Sequence, residues 1–285
     1  MSLITLTTDF GTKDHFVGAV KGAIYSELPE ATIVDISHDI SPFNIAETAY
    51  VLKNAYKSFP NESVHIIGVD SELNAETKHI ALKLDNHFFI CPDNGVISMI
   101  ASEIRPEKIV EINIHDRIES SFPVLDVFVK VACHLKRGGK LEVIGKEVFD
   151  YKKSIDLQPI ISSDGNKITG SIIYIDNYGN AITNINRKLF EKIGRGRDFE
   201  LLADRYPFTK IYEKYSEVVD FSIPKEERHS DGQKMALFNS SELIEIALYR
   251  SSLNTFGSAS NLLGLKYRDQ LSITFTADKK ATYEM

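Results

Sequence analysis

Tryptophan is absent from the 285 residues, and cysteine occurs only as Cys91 and Cys133. Two cysteines cannot build a disulfide framework, so nothing in the composition demands an oxidising compartment. No apolar run approaches the roughly 20 residues that span a bilayer as a helix. The opening MSLITLTTDFG has no basic stretch ahead of an apolar core and does not read as a signal peptide. Basic residues are not in excess: 33 Lys and Arg face 40 Asp and Glu, a net charge of −7. That balance argues against nucleic acid or an anionic membrane as a partner. Paired His-x-x-x-His, His-Glu-x-x-His and Cys-x-x-Cys spacings are missing, so no metal site is expected. Gly-x-Gly-x-x-Gly, Walker and Gly-x-Ser-x-Gly motifs are missing too, which removes the usual phosphate cradles and the serine-hydrolase elbow. A cytoplasmic globular chain without a cofactor signature is left. Its 12 Tyr and 16 Phe supply aromatic surface for a core and for stacking a planar ligand.

The first half alternates strand-like and helix-like segments. Leu3–Thr8, 32–36, 64–69, His79–Leu84, 87–90 and Lys108–Ile112 are short, apolar and rich in β-branched residues. Residues 16–28, 45–59, 96–103 and 125–135 carry apolar positions at helical spacing. Asp85-Asn86 between two strands predicts a hairpin turn. The alternation implies βαβ units and a mostly parallel sheet. The second half reads differently. Residues 167–176, 198–204, 217–223, 233–238 and 270–276 alternate apolar and polar side chains, and only 242–249 looks helical. The chain therefore divides into an α/β N-terminal domain, 1–155, and a smaller β-rich C-terminal domain, 156–285.

Three carboxylates sit where chemistry is expected. Asp9 and Asp70 end the first and third strands, and ligands of open α/β sheets bind outside the carboxyl ends of strands. A carboxylate at Asp9 can take both hydroxyls of a ribose. Asp14 stands where the first helix begins, as a ligand group or as a helix-capping acid. In the second half, Asp176-Asn177-Tyr178-Gly179-Asn180 reads as a tight turn. Asn239-Ser240-Ser241 reads as an N-cap for the helix expected at 242. Asp9-Phe10-Gly11 spells a kinase magnesium motif, but no glycine-rich loop or His-Arg-Asp segment accompanies it.

Taken together and in order, five segments resemble the SAM hydroxide adenosyltransferase family, relatives of the fluorinases and chlorinases. They are Thr8-Asp9-Phe10-Gly11-Thr12-Lys13-Asp14, Asp39-Ile40-Ser41-Pro42-Phe43-Asn44-Ile45, Pro92-Asp93-Asn94-Gly95, residues 176–185, and Asn239-Ser240 with Leu243 and Glu245-Ile246-Ala247. The resemblance implies an α/β N-terminal domain and a β-barrel-like C-terminal domain. It also implies a homotrimer, with S-adenosylmethionine (SAM) or adenosine bound at subunit interfaces. By the same resemblance Asp9 holds the ribose hydroxyls, and Phe43 stands where halogenating relatives place a Trp against the ribose. Asp14 and Asp176 pair with the methionine ammonium, Tyr178 stacks on adenine, Asn180 hydrogen-bonds it, and Ser240 reaches the methionine carboxylate. The implied reaction is attack of water or hydroxide at the ribose C5′, releasing adenosine and methionine.

The hydroxide-using members orient the nucleophile with an Asp–Arg–His set. Here Asp70 is present, as the expected catalytic group. The arginine position holds Thr77 with Lys78 beside it, and the histidine position holds Pro123. Lys78, His79 and His115 are the basic groups available to fill the vacated space. Two alternatives to hydrolysis follow: a catalytically impaired SAM- or adenosine-binding protein, and adenosyl transfer to a different nucleophile. Residues 195–230 match no motif and read as a variable surface hairpin.

Overall fold

The computed structural model describes residues 2–101, 104–114, 120–154, 158–251 and 257–276. The chain forms two compact units, Met1–Asp156 and Leu157–Met285.

The first unit is a three-layer sandwich built on a seven-stranded sheet. Its strands are β1 (Leu3–Thr8), β2 (Thr32–Ser37), β3 (Val64–Gly68), β4 (His79–Leu84), β5 (His87–Pro92), β6 (Lys108–Ile112) and β7 (Gly145–Glu147). The spatial order is β2-β1-β3-β5-β4-β6-β7. The first four in that order are mutually parallel, and the remaining pairs are antiparallel. Helices α1 (Phe16–Glu27), α2 (Ile45–Ala55), α3 (Val96–Ile100) and α4 (Val129–Lys136) cover the two faces, and a short α5 (Leu141–Ile144) precedes β7. Period-two alternation divides the core. Leu6 and Ile66 pack with Val20 and Ile24 of α1 and Val131 of α4, whereas Ile67 and Leu82 pack with Leu52 of α2 and Ile97 of α3. Each such buried aliphatic side chain contributes roughly 1.5–3 kcal/mol.

The hairpin expected at Asp85-Asn86 is present, with both residues at positive φ as a primed turn requires. The helix expected over 125–135 opens instead with a π-helical turn, Val124–Phe128, and then continues as α4. Gly68 is demanded by close approach. A Cβ there would stand 3.0 Å from Val124 Cγ2 and 3.2 Å from the rings and methyls of Phe10 and Thr8.

The second unit is a nearly closed, barrel-like sheet of nine strands. They are β8 (Ile160–Ile161), β9 (Lys167–Ile175), β10 (Ala181–Asn186), β11 (Phe199–Ala203), β12 (Tyr206–Phe208), β13 (Ile211–Tyr212), β14 (Lys234–Phe238), β15 (Leu243–Leu248) and β16 (Gln270–Phe275). Two short helices interrupt them, α6 (Arg187–Gly194) and α7 (Ala259–Leu262). Three sequence expectations are corrected. Residues 242–249 are not helical: they form β15, a central strand between β10 and β14. Ile244, Ile246 and Leu248 face one core cluster and Ala247 another. A strand buried on both faces is apolar nearly throughout, so its period resembles that of a buried helix. Asn239 accordingly caps no helix. Its Oδ1 accepts the Ser241 and Leu243 N–H groups in a turn that feeds β15. Residues 217–223 are not a strand: a 3₁₀ turn, Tyr215–Val218, lays Val218 against Ala247 and Met235.

Candidate functional site

The strand order of the first unit creates a switch point. From β1 the chain crosses to β2 on one side, and from β3 it continues to the strands on the other, so the crevice lies at the carboxyl ends of β1 and β3. Thr8 and Gly68 are register partners there. Asp9 follows the one and Asp70 lies two residues past the other, so both residues leave the sheet at the same edge.

The loops that present them are cross-braced. Asp9 Oδ2 accepts the Phe43 N–H at 3.0 Å, and the Gly11 N–H donates to the His38 carbonyl at 2.8 Å. Phe43 is held at φ 62° and is 71% exposed, a conformation and a placement uncommon for a phenylalanine. Below this, buried His38 shares a hydrogen bond with Thr8 Oγ1 at 2.7 Å, and Asp35 Oδ1 stands 3.1 Å from its Nε2. Lys21 pairs with the other Asp35 oxygen at 2.6 Å. Asp14 is exposed and does not cap α1, whose N-cap is His15, without a side-chain bond. The structural alternative for Asp14 is therefore not realised.

Asp70 has φ 47°, a left-handed conformation, and is exposed. Both neighbouring carbonyls are gripped: Asn94 Nδ2 donates to Val69 O at 3.2 Å, and His79 Nε2 to Ser71 O at 3.0 Å. The Pro92–Gly95 turn thus acts on Asp70 through Asn94. Thr77 donates its N–H to Asn74 Oδ1 at 2.8 Å, which closes the loop. Pro123 is buried ahead of the π-helical turn, with Phe122 packed edge-on to Phe10 and Phe16 at 5.4 Å. Lys78 is exposed, and His79 is fully buried with its ring edge-on to Phe128 at 4.7 Å. His115 lies outside the described residues. Among the described residues, no group of three His, Cys, Asp or Glu is placed to hold a metal ion, and no helix is long and apolar enough to cross a membrane.

The second unit presents the turn between β9 and β10. Asp176 Oδ1 accepts the Tyr178 and Asn180 N–H groups at 2.9 and 2.8 Å, and its Oδ2 accepts Asn180 Nδ2 at 3.1 Å. Gly179, at φ 77°, packs so closely on Ser258 that a Cβ would lie 2.2 Å from Ser258 Oγ. Tyr178 is left 62% exposed and Asn180 is buried. Ser240 is exposed in the turn before β15. Two residues that sequence reasoning missed complete this cluster. Tyr215 donates its hydroxyl to Glu245 and accepts Asn180 Nδ2 at 3.3 Å. Burial pushes the Glu245 carboxyl above its usual range, with Tyr215 lowering it in part and Asp176 raising it further. Glu245 stands in the last of the family-like segments, but its apolar neighbours give no sign of a polar partner. Tyr215 comes from the stretch without a motif.

Fold and loops together define the class: a two-unit chain with a switch-point α/β sheet and a barrel-like β unit, each carrying acidic and aromatic groups on its turns. The chain belongs to the SAM hydroxide adenosyltransferase family. The model of the family's N-terminal domain matches residues 4–145, and that of its C-terminal domain matches residues 170–272. Among curated relatives, the (R)-S-adenosyl-L-methionine hydrolase of Methanocaldococcus jannaschii is 30% identical over 96% of this chain and 97% of its own. The fluorinase of Actinopolyspora mzabensis is 24% identical over 72% and 80%. A crystal structure of a conserved protein from Thermotoga maritima superposes with a TM-score of 0.80 at 30% identity, covering 95% of this chain and 99% of that one.

Proposed function

We propose that this protein hydrolyses SAM to adenosine and methionine. The observation that carries the reading is Asp70, held in a left-handed turn two residues past Gly68, the register partner of Thr8, in a family whose hydrolase relatives align over nearly the whole chain. Water attacks C5′ and the C5′–S bond breaks, with its electron pair going to sulfur. Methionine leaves as a neutral thioether, so the leaving group needs no acid, and the reaction calls for no cofactor. Asp70 orients the water and takes its proton. Asp9 suits the ribose diol, with Phe43 against the sugar. Asp14 and Asp176 suit the ammonium, Tyr178 the purine face, Asn180 its edge and Ser240 the carboxylate. We propose the family's homotrimer as the assembly, ligands sitting where subunits meet, and the cytoplasm as the compartment.

With Thr77 and Pro123 at the arginine and histidine positions, turnover is expected to be slow. Loss of a positioned acid–base group costs about 10²–10⁴-fold. The same two residues motivate the second reading, a SAM- or adenosine-binding protein without turnover. Incubation with each sulfonium epimer of SAM in ¹⁸O-water, followed by chromatography and mass spectrometry, separates them. Adenosine labelled at its 5′ oxygen, formed faster than with Asp70→Ala, is the expected result. Binding by calorimetry without release supports the second reading, and absence of both removes the two together.

A further inference from the structure

Asn180 has an amide whose two ends are chemically opposite, and the structure leaves it no freedom to exchange them. Its nitrogen donates to Asp176 Oδ2 at 3.1 Å and to the Tyr215 hydroxyl oxygen at 3.3 Å. Both partners are acceptors. Asp176 is a carboxylate already fixed by two backbone N–H groups. The phenol has given its one hydrogen to buried Glu245, so only its lone pairs face Asn180. Reversing the amide would put its oxygen against a carboxylate and a phenol oxygen that cannot donate. The neighbours therefore dictate the orientation, on chemical grounds that do not depend on telling N from O by position. Asn180 is 5% exposed, and with its nitrogen committed to Asp176 and Tyr215 the amide oxygen is the end turned away from both. What this turn offers a ligand is one rigid hydrogen-bond acceptor.

We propose that Tyr215 and Glu245 are specificity-determining positioning residues: they hold the Asn180 oxygen toward the ligand, so that the base accepted is one presenting amino hydrogens at its edge. A 6-aminopurine donates to that oxygen. A 6-oxopurine brings a carbonyl to it, and two acceptors repel. This rests on the reading that Asn180 contacts the base of SAM, and it assigns a role to Tyr215, from the stretch 195–230 that matches no motif, together with Glu245.

The test compares SAM with its 6-oxo analogue, in which hypoxanthine replaces adenine, for cleavage and for binding. The wild-type protein should prefer SAM by at least about tenfold, the effect of leaving a buried polar group unpaired. Tyr215→Phe should shrink that preference several-fold, because one of the two restraints on the amide is gone. Glu245→Gln, whose amide oxygen still accepts the phenol proton, should retain it, and Glu245→Leu should not. The double variant Tyr215→Phe/Glu245→Leu removes both partners at once and leaves no buried charge, so it guards against misfolding of either single variant, with circular dichroism as the check. A merely structural role would weaken both ligands equally and leave the ratio unchanged. Equal wild-type handling of the two ligands, or an unchanged ratio in Tyr215→Phe and the double variant, overturns the inference while leaving SAM cleavage standing. Failure to bind SAM at all overturns the reading beneath it and the inference with it.

Discussion

His79 Nε2 donates to the carbonyl of Ser71 at 3.0 Å from a fully buried position at the start of β4. A carbonyl only accepts, so this nitrogen carries the proton and is spent on the backbone. His79 therefore does not replace the family's catalytic histidine as a base through Nε2. It fixes the residue that follows Asp70, as Asn94 fixes the one before. His79→Leu should lower the rate of SAM cleavage by about fivefold, the effect of a lost hydrogen bond of about 1 kcal/mol that holds a left-handed turn in place. KM should change little, and His79→Gln should restore part of the rate. Steady-state kinetics that put the whole effect in KM would contradict this role.

Asp70→Asn keeps the size of the side chain and removes its charge. Rate should fall by about 10²–10⁴-fold, with SAM affinity by calorimetry unchanged or slightly weaker. If the rate of adenosine release survives, Asp70 is not the group that orients water.

Phe43→Gly separates ligand binding from folding. The position has φ 62° and a largely exposed ring. Glycine adopts this conformation freely, whereas an L-residue there is strained by roughly 1–2 kcal/mol. The melting temperature should stay level or rise, while adenosine affinity falls about tenfold or more through the lost ring contact. A variant that melts much earlier would make Phe43 a folding residue instead.

A buried polar strip crosses the first sheet, in which Thr5 Oγ1 meets His65 Nδ1 at 2.7 Å and His65 Nε2 meets His87 Nδ1 at 3.1 Å. Tyr56, Phe59 and Phe89 enclose the imidazoles, with Asp85 and Glu62 the acids that act on His87. Burial, with a smaller contribution from His87, lowers the His65 pKa from 6.5 to about 3. The fold accepts the neutral ring, whereas the unfolded chain binds a proton near 6.5. Between those values the unfolded state holds more protons, so stability is full above pH 6.5 and is lost as pH falls toward 3, by about 1.4 kcal/mol per pH unit for this group. Thermal melts by circular dichroism from pH 8 to 4 should show this slope. His65→Asn should be less stable at neutral pH and flatter across the window. Parallel profiles for the two proteins would assign the acid lability elsewhere.

The legibility of the chain follows the range of the forces involved. Strands β1 to β6 and helix α1 were readable because apolar periodicity and turn residues act within a few positions of one another. Asp9 and Asp70 were readable as strand-end carboxylates for the same reason. Segment 242–249 was misread because burial on both faces erases the alternation that marks a strand, and which neighbours bury it is a long-range fact. His38, Tyr215 and Glu245 gave no local signal, and His79 was legible only as a basic group near Asp70, not as a backbone clamp. Each matters through a partner at another place in the chain, and a lone polar residue in an apolar stretch does not announce that partner.

Residue identity and short spacing were enough to read the α/β and β-rich halves, the family, and the acidic and aromatic side chains proposed above to meet SAM. Only the tertiary structure decided which way the Asn180 amide points, what holds Asp70 in a left-handed turn, and that His79 is committed to the backbone. Hydrogen bonds are directional and short, so their partners exist only once distant segments have been brought within about 3 Å of each other.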